Sequence, residues 1–355
     1  MRVLVTGGAG FIGSAVCRRF VGLGIPVVNL DKLTYAANLQ SVAPIADHAD
    51  YAFERADICD RAALDAVFAK YRPTAVLHLA AESHVDRSIT GAAPFINSNI
   101  LGTYQLLEAA LDYYRRLTAP AKAQFKFVHV STDEVYGTLG DTGKFHENSA
   151  YRPSSPYAAS KAASDHLAHA WHKTHGLPVI VSNCSNNYGP CQFPEKLIPL
   201  TILHALEGMA LPVYGDGSNV RDWLYVDDHV DGLRAILERG RPGEKYNFGG
   251  DSERTNLDVV QQICDSVDRL VPRPGKRRAL IGFVPDRPGH DYRYAIDASK
   301  ARGELGWRPQ QTFDSGIERT VRWYLDNRNW WEPIRKGIYA GERLGLAQIL
   351  KESNA

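Results

Sequence analysis

The alternation of apolar and helix-like segments over the first 185 residues is the feature that most constrains the fold. Five near-continuous apolar runs predict strands at Arg2–Thr6, Val27–Leu30, Ala75–Leu79, Phe125–Ser131 and Val179–Cys184. Such apolarity is typical of strands that are covered on both faces, as in a parallel sheet. Helical patterns separate these runs, at Ile12–Leu23, Arg61–Lys70, Phe95–Tyr114 and Tyr157–His175. The sequence therefore predicts an α/β fold with a doubly wound parallel sheet.

The pattern changes after residue 185. Prolines interrupt short segments between residues 190 and 212, and a further helix is predicted at about Leu257–Leu270. We expect a smaller, mixed α/β lobe that interleaves with the late strands of the first domain. The predicted division assigns 1–185 plus about 219–250 to the first domain, about 186–218 plus 251–328 to the lobe, and 329–355 to a C-terminal tail.

Composition excludes several classes of protein. The 41 Lys and Arg residues almost balance the 40 Asp and Glu residues, which argues against a nucleic-acid or membrane-surface partner. No apolar run approaches the roughly 20 residues that span a bilayer. The five cysteines show no CxxC spacing, so neither a disulfide framework nor a metal site is expected. We therefore predict a cytoplasmic protein without metal.

A glycine-rich turn follows the first predicted strand. The sequence TGGAGFIG at residues 6–13 places Gly7, Gly10 and Gly13 where a tight turn, close approach to a pyrophosphate and helix–strand packing require glycine. The predicted helix that follows would offer its N-terminal N–H groups to the phosphates. Asp31 ends the second strand, where a carboxylate accepts hydrogen bonds from a ribose and repels a 2′-phosphate. These features predict a Rossmann-like domain that binds NAD rather than NADP.

Two further groups of residues suit acid–base chemistry. Tyr157 and Lys161 form the chain's single Tyr-x-x-x-Lys pair and lie one turn apart on a predicted helix. A lysine ammonium would lower the pKa of the tyrosine and make it a base for a sugar hydroxyl. Thr132, Asp133 and Glu134 follow the fifth strand, at the sheet edge where such folds bind ligands. Adjacent carboxylates suit one acid and one base acting on neighbouring substrate atoms.

Together these motifs resemble a known enzyme family. TGGAGFIG, LAAESHVDRS at 79–88 and the Tyr157/Lys161 pair resemble the extended short-chain dehydrogenase/reductase superfamily. Within it, STDEVYG at 131–137 is similar to the dTDP-glucose 4,6-dehydratases, whose Asp-Glu pair distinguishes them. The resemblance covers roughly residues 1–325 and continues through NNYGP, FPEKLIPL, RDWLYV and DRPGH. Small departures occur at Cys191-Gln192 and at Thr138, outside the catalytic set.

The resemblance implies a hydro-lyase that converts dTDP-glucose to dTDP-4-dehydro-6-deoxyglucose and water. Oxidation at carbon 4 would be followed by elimination across carbons 5 and 6 and by hydride return to carbon 6, with NAD retained throughout. Tyr157 would accept the proton of the 4-hydroxyl, and Glu134 would remove the proton of carbon 5. Asp133 would protonate the leaving 6-hydroxyl, Thr132 would orient the 4-hydroxyl, and Lys161 would hold the nicotinamide ribose.

The resemblance also carries binding residues over to this sequence. The implied cofactor contacts, besides Tyr157 and Lys161, are Gly7, Gly10, Phe11, Ile12, Gly13, Asp31, Lys32, Leu33, Thr34, Asp57, Ile58, Leu79, Ala80, Ala81, Glu82, Ser83, Asn99 and Asn187. The implied substrate contacts are Ser83, Thr132, Asn186, Lys196, Leu197, Pro212, Val213, Tyr214, Arg221, Asn256, Asp286, Arg287, Pro288, Gly289 and His290. Arg221 suits a pyrophosphate; the alternative is a structural salt bridge to Asp222, Asp227 or Asp228.

Two other functions use the same features. An NAD-dependent nucleotide-sugar epimerase or decarboxylase would share the glycine turn and the Tyr/Lys pair, but it would not need both Asp133 and Glu134. A noncatalytic NAD-sensing regulator would not need the acid–base set at all. The resemblance further implies a homodimer that pairs the helices near Phe95–Tyr114 and Tyr157–His175. The sequence leaves open whether the product feeds rhamnose or another deoxysugar, and how strictly thymine is preferred.

Overall fold

The computed structural model describes residues 1–341 and residue 344. In chain order its strands are β1 (Val3–Thr6), β2 (Val27–Asp31), β3 (Tyr51–Arg55), β4 (Ala75–His78), β5 (Lys126–Thr132), β6 (Val179–Cys184), β7 (Asn186–Tyr188), β8 (Leu211–Tyr214), β9 (Val220–Tyr225), β10 (Lys245–Phe248), β11 (Glu253–Thr255) and β12 (Ile281–Val284).

The helices of the same residues are α1 (Phe11–Gly22), α2 (Arg61–Tyr71), α3 (Val85–Thr90), α4 (Ala93–Phe95), α5 (Thr103–Arg116), α6 (Ala119–Gln124), α7 (Pro156–His175), α8 (Leu197–Glu207), α9 (Val226–Arg239), α10 (Asn256–Leu270), α11 (Ser299–Leu305), α12 (Phe313–Asp326) and α13 (Arg328–Gly337). A π-helix, Ile96–Gly102, joins α4 to α5. The helix predicted over Phe95–Tyr114 is therefore interrupted, because hydrophobic periodicity does not reveal a local change from i→i+4 to i→i+5 hydrogen bonds.

The central sheet has seven parallel strands in the order β3-β2-β1-β4-β5-β6-β10. The chain starts in the middle, at β1, and the strand order reverses between β1 and β4, which is the Rossmann arrangement. Successive side chains of β1 enter opposite layers: Val3 and Val5 pack with α1 and α9, whereas Leu4 packs with α2, α5 and α7. Helices thus cover both faces, and the predicted doubly wound fold is confirmed.

A second, smaller lobe has its own apolar core. It contains a three-stranded sheet, β11-β9-β7, and a two-stranded sheet, β12-β8. Helices α8, α10, α12 and α13 enclose this core with the strands. The structure differs from the predicted division at two places. Strand β9, which was assigned to the first domain, pairs within the lobe. The segment 296–307, which was assigned to the lobe, packs against the central sheet. The order of elements along the chain did not reveal either difference, because both depend on contacts between segments that are distant in sequence.

The first part of the predicted tail packs on the body of the protein. Trp330 and Trp331 are buried in the core of the smaller lobe. The indole of Trp330 donates to Ser41 Oγ at 2.9 Å, and that of Trp331 donates to the carbonyl of Tyr324 at 2.8 Å. Residues 342–343 and 345–355 of the predicted tail lie outside the described residues. In the part of the chain that is described, no helix has the length and apolarity to cross a membrane.

Candidate active site

A cleft of about 300 Å³ opens at the carboxyl ends of the central strands, between the two lobes. The predicted catalytic residues Thr132, Asp133, Glu134, Tyr157 and Lys161 all line it. The predicted cofactor residues in its lining are Gly7, Gly10, Phe11, Ile12, Gly13, Asp31, Lys32, Thr34, Ile58, Leu79, Ala80, Ala81, Glu82, Ser83 and Asn187. The tertiary structure therefore brings most of the predicted site into one space, at the switch point of the strand order.

The glycine turn after β1 needs glycine because neighbouring backbone atoms occupy the positions where side chains would lie. Gly7 has φ +73°, and a Cβ there would lie 2.7 Å from the backbone nitrogen of Ala80. A Cβ on Gly13 would lie 2.1 Å from the carbonyl oxygen of Gly7. Helix α1 begins after Gly10 without a side-chain cap and without an acidic residue in its first turn. Its first N–H groups therefore have no side-chain acceptor, and Gly10, Phe11 and Ile12 line the cleft, an arrangement suited to a phosphate.

Asp31 ends β2 and is held by the backbone. Its Oδ2 accepts from the Ala9 N–H at 2.9 Å, and its Oδ1 accepts from the Leu33 N–H at 2.8 Å. Burial raises the pKa of Asp31, while these two hydrogen bonds act in the opposite direction. Each oxygen retains a lone pair, so the carboxylate can still accept the hydroxyls of a ribose. Neighbouring Lys32 lies 3.4 Å from Asp57, which keeps Asp57 beside the same end of the cleft.

Helix α7 positions Tyr157 and Lys161. Ser155 caps its N-terminus by accepting from the Ala158 N–H, and Pro156 occupies the first turn. The ammonium of Lys161 donates to the Val130 carbonyl at 2.8 Å, and burial lowers the pKa of this lysine. Burial raises the pKa of Tyr157 well above its ordinary value, and Glu134 adds to the effect. The predicted lowering of the Tyr157 pKa by Lys161 is therefore wrong for these protein groups, because burial is the largest influence on the tyrosine and the lysine donates to the Val130 carbonyl.

Asp133 and Glu134 form a short 3₁₀ turn directly after β5, capped by the hydroxyl of Thr132. Asp133 is only 1% exposed, and its Oδ2 has no hydrogen-bond partner among the described residues. Burial, reinforced by Glu134 and Asp222, raises the pKa of Asp133 well above its ordinary value. Burial also raises the pKa of Glu134, but Arg287, Lys196 and Arg221 oppose that shift. The arrangement thus favours a protonated Asp133 beside a more readily ionised Glu134.

Arg221 is a buried cation close to this pair. Its guanidinium donates to the carbonyls of Val220, Asp291 and Tyr292, at 2.7, 2.9 and 3.3 Å. It also stacks on the Tyr294 ring, with 4.4 Å between the guanidinium carbon and the ring centroid. Among the described residues it makes no salt bridge to Asp222, Asp227 or Asp228, so the structural alternative is not observed. A guanidinium with only neutral acceptors is available to an anionic ligand.

Other predicted contacts do not line this cleft. Those outside its immediate lining are Leu33, Asp57, Asn99, Leu197, Pro212, Val213, Tyr214, Arg221, Asn256, Asp286, Arg287, Pro288, Gly289 and His290. Arg287 pairs with Asp86 at 2.7 Å, and His290 pairs with Asp286 at 2.6 Å. Of the remaining predicted substrate residues, Asn186 lines the cleft, and Lys196 and Ser83 are joined by a hydrogen bond across it.

Sequence reasoning missed several polar residues of the site. Ser98, Cys184, Gln192 and Glu195 line the cleft but were not predicted as contacts, although Glu195 stands in the FPEKLIPL run quoted above. A buried pair also lies behind Lys161, in which His129 Nε2 is 3.1 Å from Asp165 Oδ1. Asp165 follows Lys161 by one helical turn, and that i, i+4 spacing was the one signal that could have drawn attention to it.

In the described part of the chain, no group of three or more His, Cys, Asp or Glu residues could hold a metal ion.

Both the fold and the residues of the cleft are those of a dinucleotide-dependent enzyme. The family model for GDP-mannose 4,6 dehydratase matches residues 4–320, and the chain belongs to that family.

Its relatives within the family carry a narrower name. A probable dTDP-glucose 4,6-dehydratase of Sinorhizobium fredii is 60% identical over 348 residues, which are 98% of this chain and 99% of the relative. The crystal structure of DesIV, the dTDP-glucose 4,6-dehydratase of Streptomyces venezuelae with NAD and TYD bound, matches with a TM-score of 0.86 and 47% identity. That match covers 94% of this chain and all of DesIV. The chain is therefore one of the dTDP-glucose 4,6-dehydratases.

The fold is also shared with an epimerase. The UDP-glucose 4-epimerase of Thermus thermophilus, in complex with NAD, matches with a TM-score of 0.81 and 30% identity. That match covers 92% of this chain and all of the epimerase. Because both reactions are found on one fold, the choice between them depends on the residues of the site.

Proposed function

We propose that this protein dehydrates dTDP-glucose to dTDP-4-dehydro-6-deoxyglucose with NAD as a retained cofactor. The observation that carries the proposal is the pair of unlike carboxyl groups at Asp133 and Glu134, in the same cleft as Tyr157. An elimination needs an acid for the leaving hydroxyl and a base for the carbon-bound proton. The pair provides both groups in one cleft.

The residues present fit NAD. The uncapped start of α1 and the glycine turn would hold the pyrophosphate, Asp31 would accept the ribose hydroxyls, and Lys161 would hold the nicotinamide ribose. When bound, NAD supplies a hydride acceptor at carbon 4 and a hydride donor at carbon 6, and its charge favours the phenolate of Tyr157.

The side chains of the cleft divide the proton transfers of the reaction among them. Tyr157 accepts the proton of the 4-hydroxyl, which Thr132 orients. The resulting ketone makes the carbon-5 proton acidic, and Glu134 removes it. Asp133, whose pKa burial raises, donates its proton to the 6-hydroxyl, which leaves as water. Glu134 finally returns its proton to carbon 5. Tyr157 then carries one proton more than at the start and Asp133 one fewer, and transfer of that proton from Tyr157 to Asp133, directly or through water, restores the starting state.

Substrate binding is assigned to the positively charged margin of the cleft. Arg221 and Arg287 are both placed near Glu134, where they oppose the rise of its pKa caused by burial, and a diphosphate would meet their guanidinium groups. The test of function is incubation with dTDP-glucose, followed by mass spectrometry and NMR of the product. Loss of one water with a keto group at carbon 4 is expected. A product of unchanged mass with inverted carbon 4 would instead favour the epimerase.

We further propose a cytoplasmic homodimer. Ile96, Leu101 and Tyr104 are exposed, by 44, 50 and 38%, along the π-helix and α5, which form the predicted contact surface together with α7. Exposed apolar side chains on one helical face favour a helix–helix contact between two copies. The assignment to the cytoplasm follows from the cysteine pattern, and the product is proposed as a precursor of rhamnose or another deoxysugar.

A further inference from the structure

Glu195 lies in the smaller lobe, between β7 and α8, yet its side chain reaches the nucleotide-binding domain. The side chain is 2% exposed and lines the cleft. Its Oε2 accepts from Arg87 Nε at 2.8 Å, and its Oε1 accepts from Tyr35 Oη at 3.2 Å. Arg87 lies in α3, and Tyr35 lies in the loop after β2. One buried carboxylate therefore joins two separate segments of the sheet domain to the smaller lobe.

The two partners also contact each other. The guanidinium carbon of Arg87 lies 4.1 Å from the centroid of the Tyr35 ring. Phe193 packs edge-on against the same ring, with 5.6 Å between the centroids. Tyr35, Arg87 and Glu195 thus form a closed triad, in which the aromatic ring lies between the arginine of one lobe and the phenylalanine of the other.

Adjacent contacts fix the same segment. Lys196 Nζ donates to the Ser83 carbonyl at 2.8 Å, and the Glu195 carbonyl lies 3.4 Å from His84 Nε2. Segment 193–196 is therefore tied both to segment 83–87 and to the loop at residue 35. Thr34, Ala36 and Ala37 line the same cleft as Phe193, Glu195 and Lys196, and the Tyr35–Glu195 hydrogen bond joins these two stretches of its wall.

We propose that Glu195 is a positioning residue that fastens segment 193–196 across the dinucleotide site and thereby slows the release of NAD. The proposal rests on the function proposed above, since a cofactor that is reduced and reoxidised within one cycle must not dissociate between the two half-reactions. Release requires the lobes to separate at this edge of the cleft. Separation there breaks the hydrogen bonds of Glu195 to Tyr35 and Arg87.

The test measures the exchange of bound NAD against deuterium-labelled NAD by mass spectrometry, in the absence of sugar nucleotide. Tyr35→Phe removes only the hydroxyl that donates to Glu195, and Glu195→Gln removes the charge that pairs with Arg87. Each variant should exchange NAD about 10-fold faster than the parent, the effect of one hydrogen bond to a charged group. The turnover number of Tyr35→Phe at saturating NAD should be unchanged, because Tyr35 is not part of the cleft lining.

Matched controls come from other parts of the chain. Tyr71→Phe also removes a tyrosine–carboxylate hydrogen bond, from Tyr71 Oη to Glu54, outside the cleft lining. Glu238→Gln removes the exposed ion pairs of Glu238 with Arg234 and Arg239 on α9. Both controls should exchange NAD at the parental rate. Asp31→Ala should exchange faster than the parent, since it removes a proposed contact to the cofactor itself.

Exchange within two-fold of the parent in Tyr35→Phe would overturn the proposal, and this variant remains informative if Glu195→Gln does not fold. A fall in the turnover number of Tyr35→Phe at saturating NAD would also overturn it, because the contact of Tyr35 with Glu195 would then act on the reaction itself. Failure of the proposed function gives a different result: the parent would not dehydrate dTDP-glucose, whereas the exchange rates would still distinguish the variants from the controls.

Discussion

Asp133 and Glu134 are neighbours in the chain, but their environments differ. The carboxyl of Asp133 is enclosed and has an unpartnered oxygen, whereas Glu134 is partly exposed and faces three cations. Burial therefore favours the neutral form of Asp133, while the cations favour the ionised form of Glu134, which suits one acid and one base. The difference is a property of single residues, and single substitutions test it.

Asp133→Asn should separate oxidation from elimination. The substitution nearly preserves shape but removes the proton, so dehydration should fall roughly 100-fold or more. Tyr157 and Lys161 remain, and the variant should therefore accumulate reduced cofactor, visible in the nicotinamide absorbance after mixing with dTDP-glucose. Tyr157→Phe is the comparison: it should suppress that absorbance. Dehydration by Asp133→Asn at the parental rate would show that another group is the acid.

His229 should make stability fall in acid. It is fully buried on α9, and its Nδ1 lies 2.9 Å from Asn187 Oδ1. Burial lowers the pKa of His229 to about 3. Because the unfolded chain binds this proton near pH 6.5 and the folded chain does not, stability is lost as pH falls from about 6.5 towards 3. His229→Gln should reduce the slope of unfolding free energy against pH by up to about 1.4 kcal/mol per pH unit.

Urea titrations at several pH values between 4.5 and 7.5 measure that slope. His175→Gln serves as the control, since His175 is an exposed histidine in the last turn of α7. It should leave the slope nearly unchanged. Equal slopes in His229→Gln and the parent would mean that His229 titrates alike in the folded and unfolded chains.

At the scale of elements, the start of α7 links helix stability to catalysis. The Ser155 hydroxyl accepts from the Ala158 N–H at 3.1 Å, and Tyr157 lies in the turn that this bond closes. Ser155→Ala should cost about 1 kcal/mol of stability. It should also lower the turnover number, because fraying of the first turn displaces the Tyr157 hydroxyl. Denaturant unfolding and initial rates measure the two effects.

Thr312 provides a matched control for that helix cap. It caps α12 in the same manner, by accepting from the Ser315 N–H at 3.2 Å, away from the cleft. Thr312→Ala should therefore destabilise the protein by a similar amount without affecting turnover. A loss of stability in Ser155→Ala with parental turnover would contradict a positioning role for the cap.

The π-helix Ile96–Gly102 places the Asn99 side chain against the wall of the cleft. It carries Asn99, whose side chain accepts from the Glu82 N–H and donates to the Glu82 carbonyl, each at 2.9 Å. Asn99 also donates to Ser160 Oγ at 2.8 Å. The amide therefore joins the proposed dimer helix, the cofactor-facing loop and α7. Asn99 was predicted to contact the cofactor. In the structure it does not line the cleft, but it holds the backbone of Glu82, which does.

At the scale of the whole molecule, the proposed homodimer predicts a mass near twice the chain's 39.3 kDa. Leu101→Lys should shift the protein towards the monomer, because it places a charge on the apolar helical face. Phe283→Lys, which also replaces an exposed apolar residue but on β12 in the smaller lobe, should leave the mass unchanged. Light scattering at micromolar concentration measures both, and a parental mass near 39 kDa would contradict the dimer.

The sequence by itself determined the fold class and the local chemistry. Near-continuous apolar runs predict strands that are covered on both faces, and the structure has those strands in a parallel sheet. The glycine turn, Asp31 and the Thr132-Asp133-Glu134 run were predictable because backbone conformation and spacing along one strand or helix constrain them locally. The five predicted catalytic residues line one cleft for the same reason, since parallel strands end at one edge.

Only the tertiary structure decided how the two lobes meet and which groups are buried. It placed β9 and the segment 296–307 in sheets and cores that chain order does not indicate. It also raised the pKa of Tyr157, where spacing to Lys161 suggested the opposite, because desolvation depends on every neighbour in space. The contacts of Glu195 with Tyr35 and Arg87 join residues more than 100 positions apart, and no local pattern encodes such a contact.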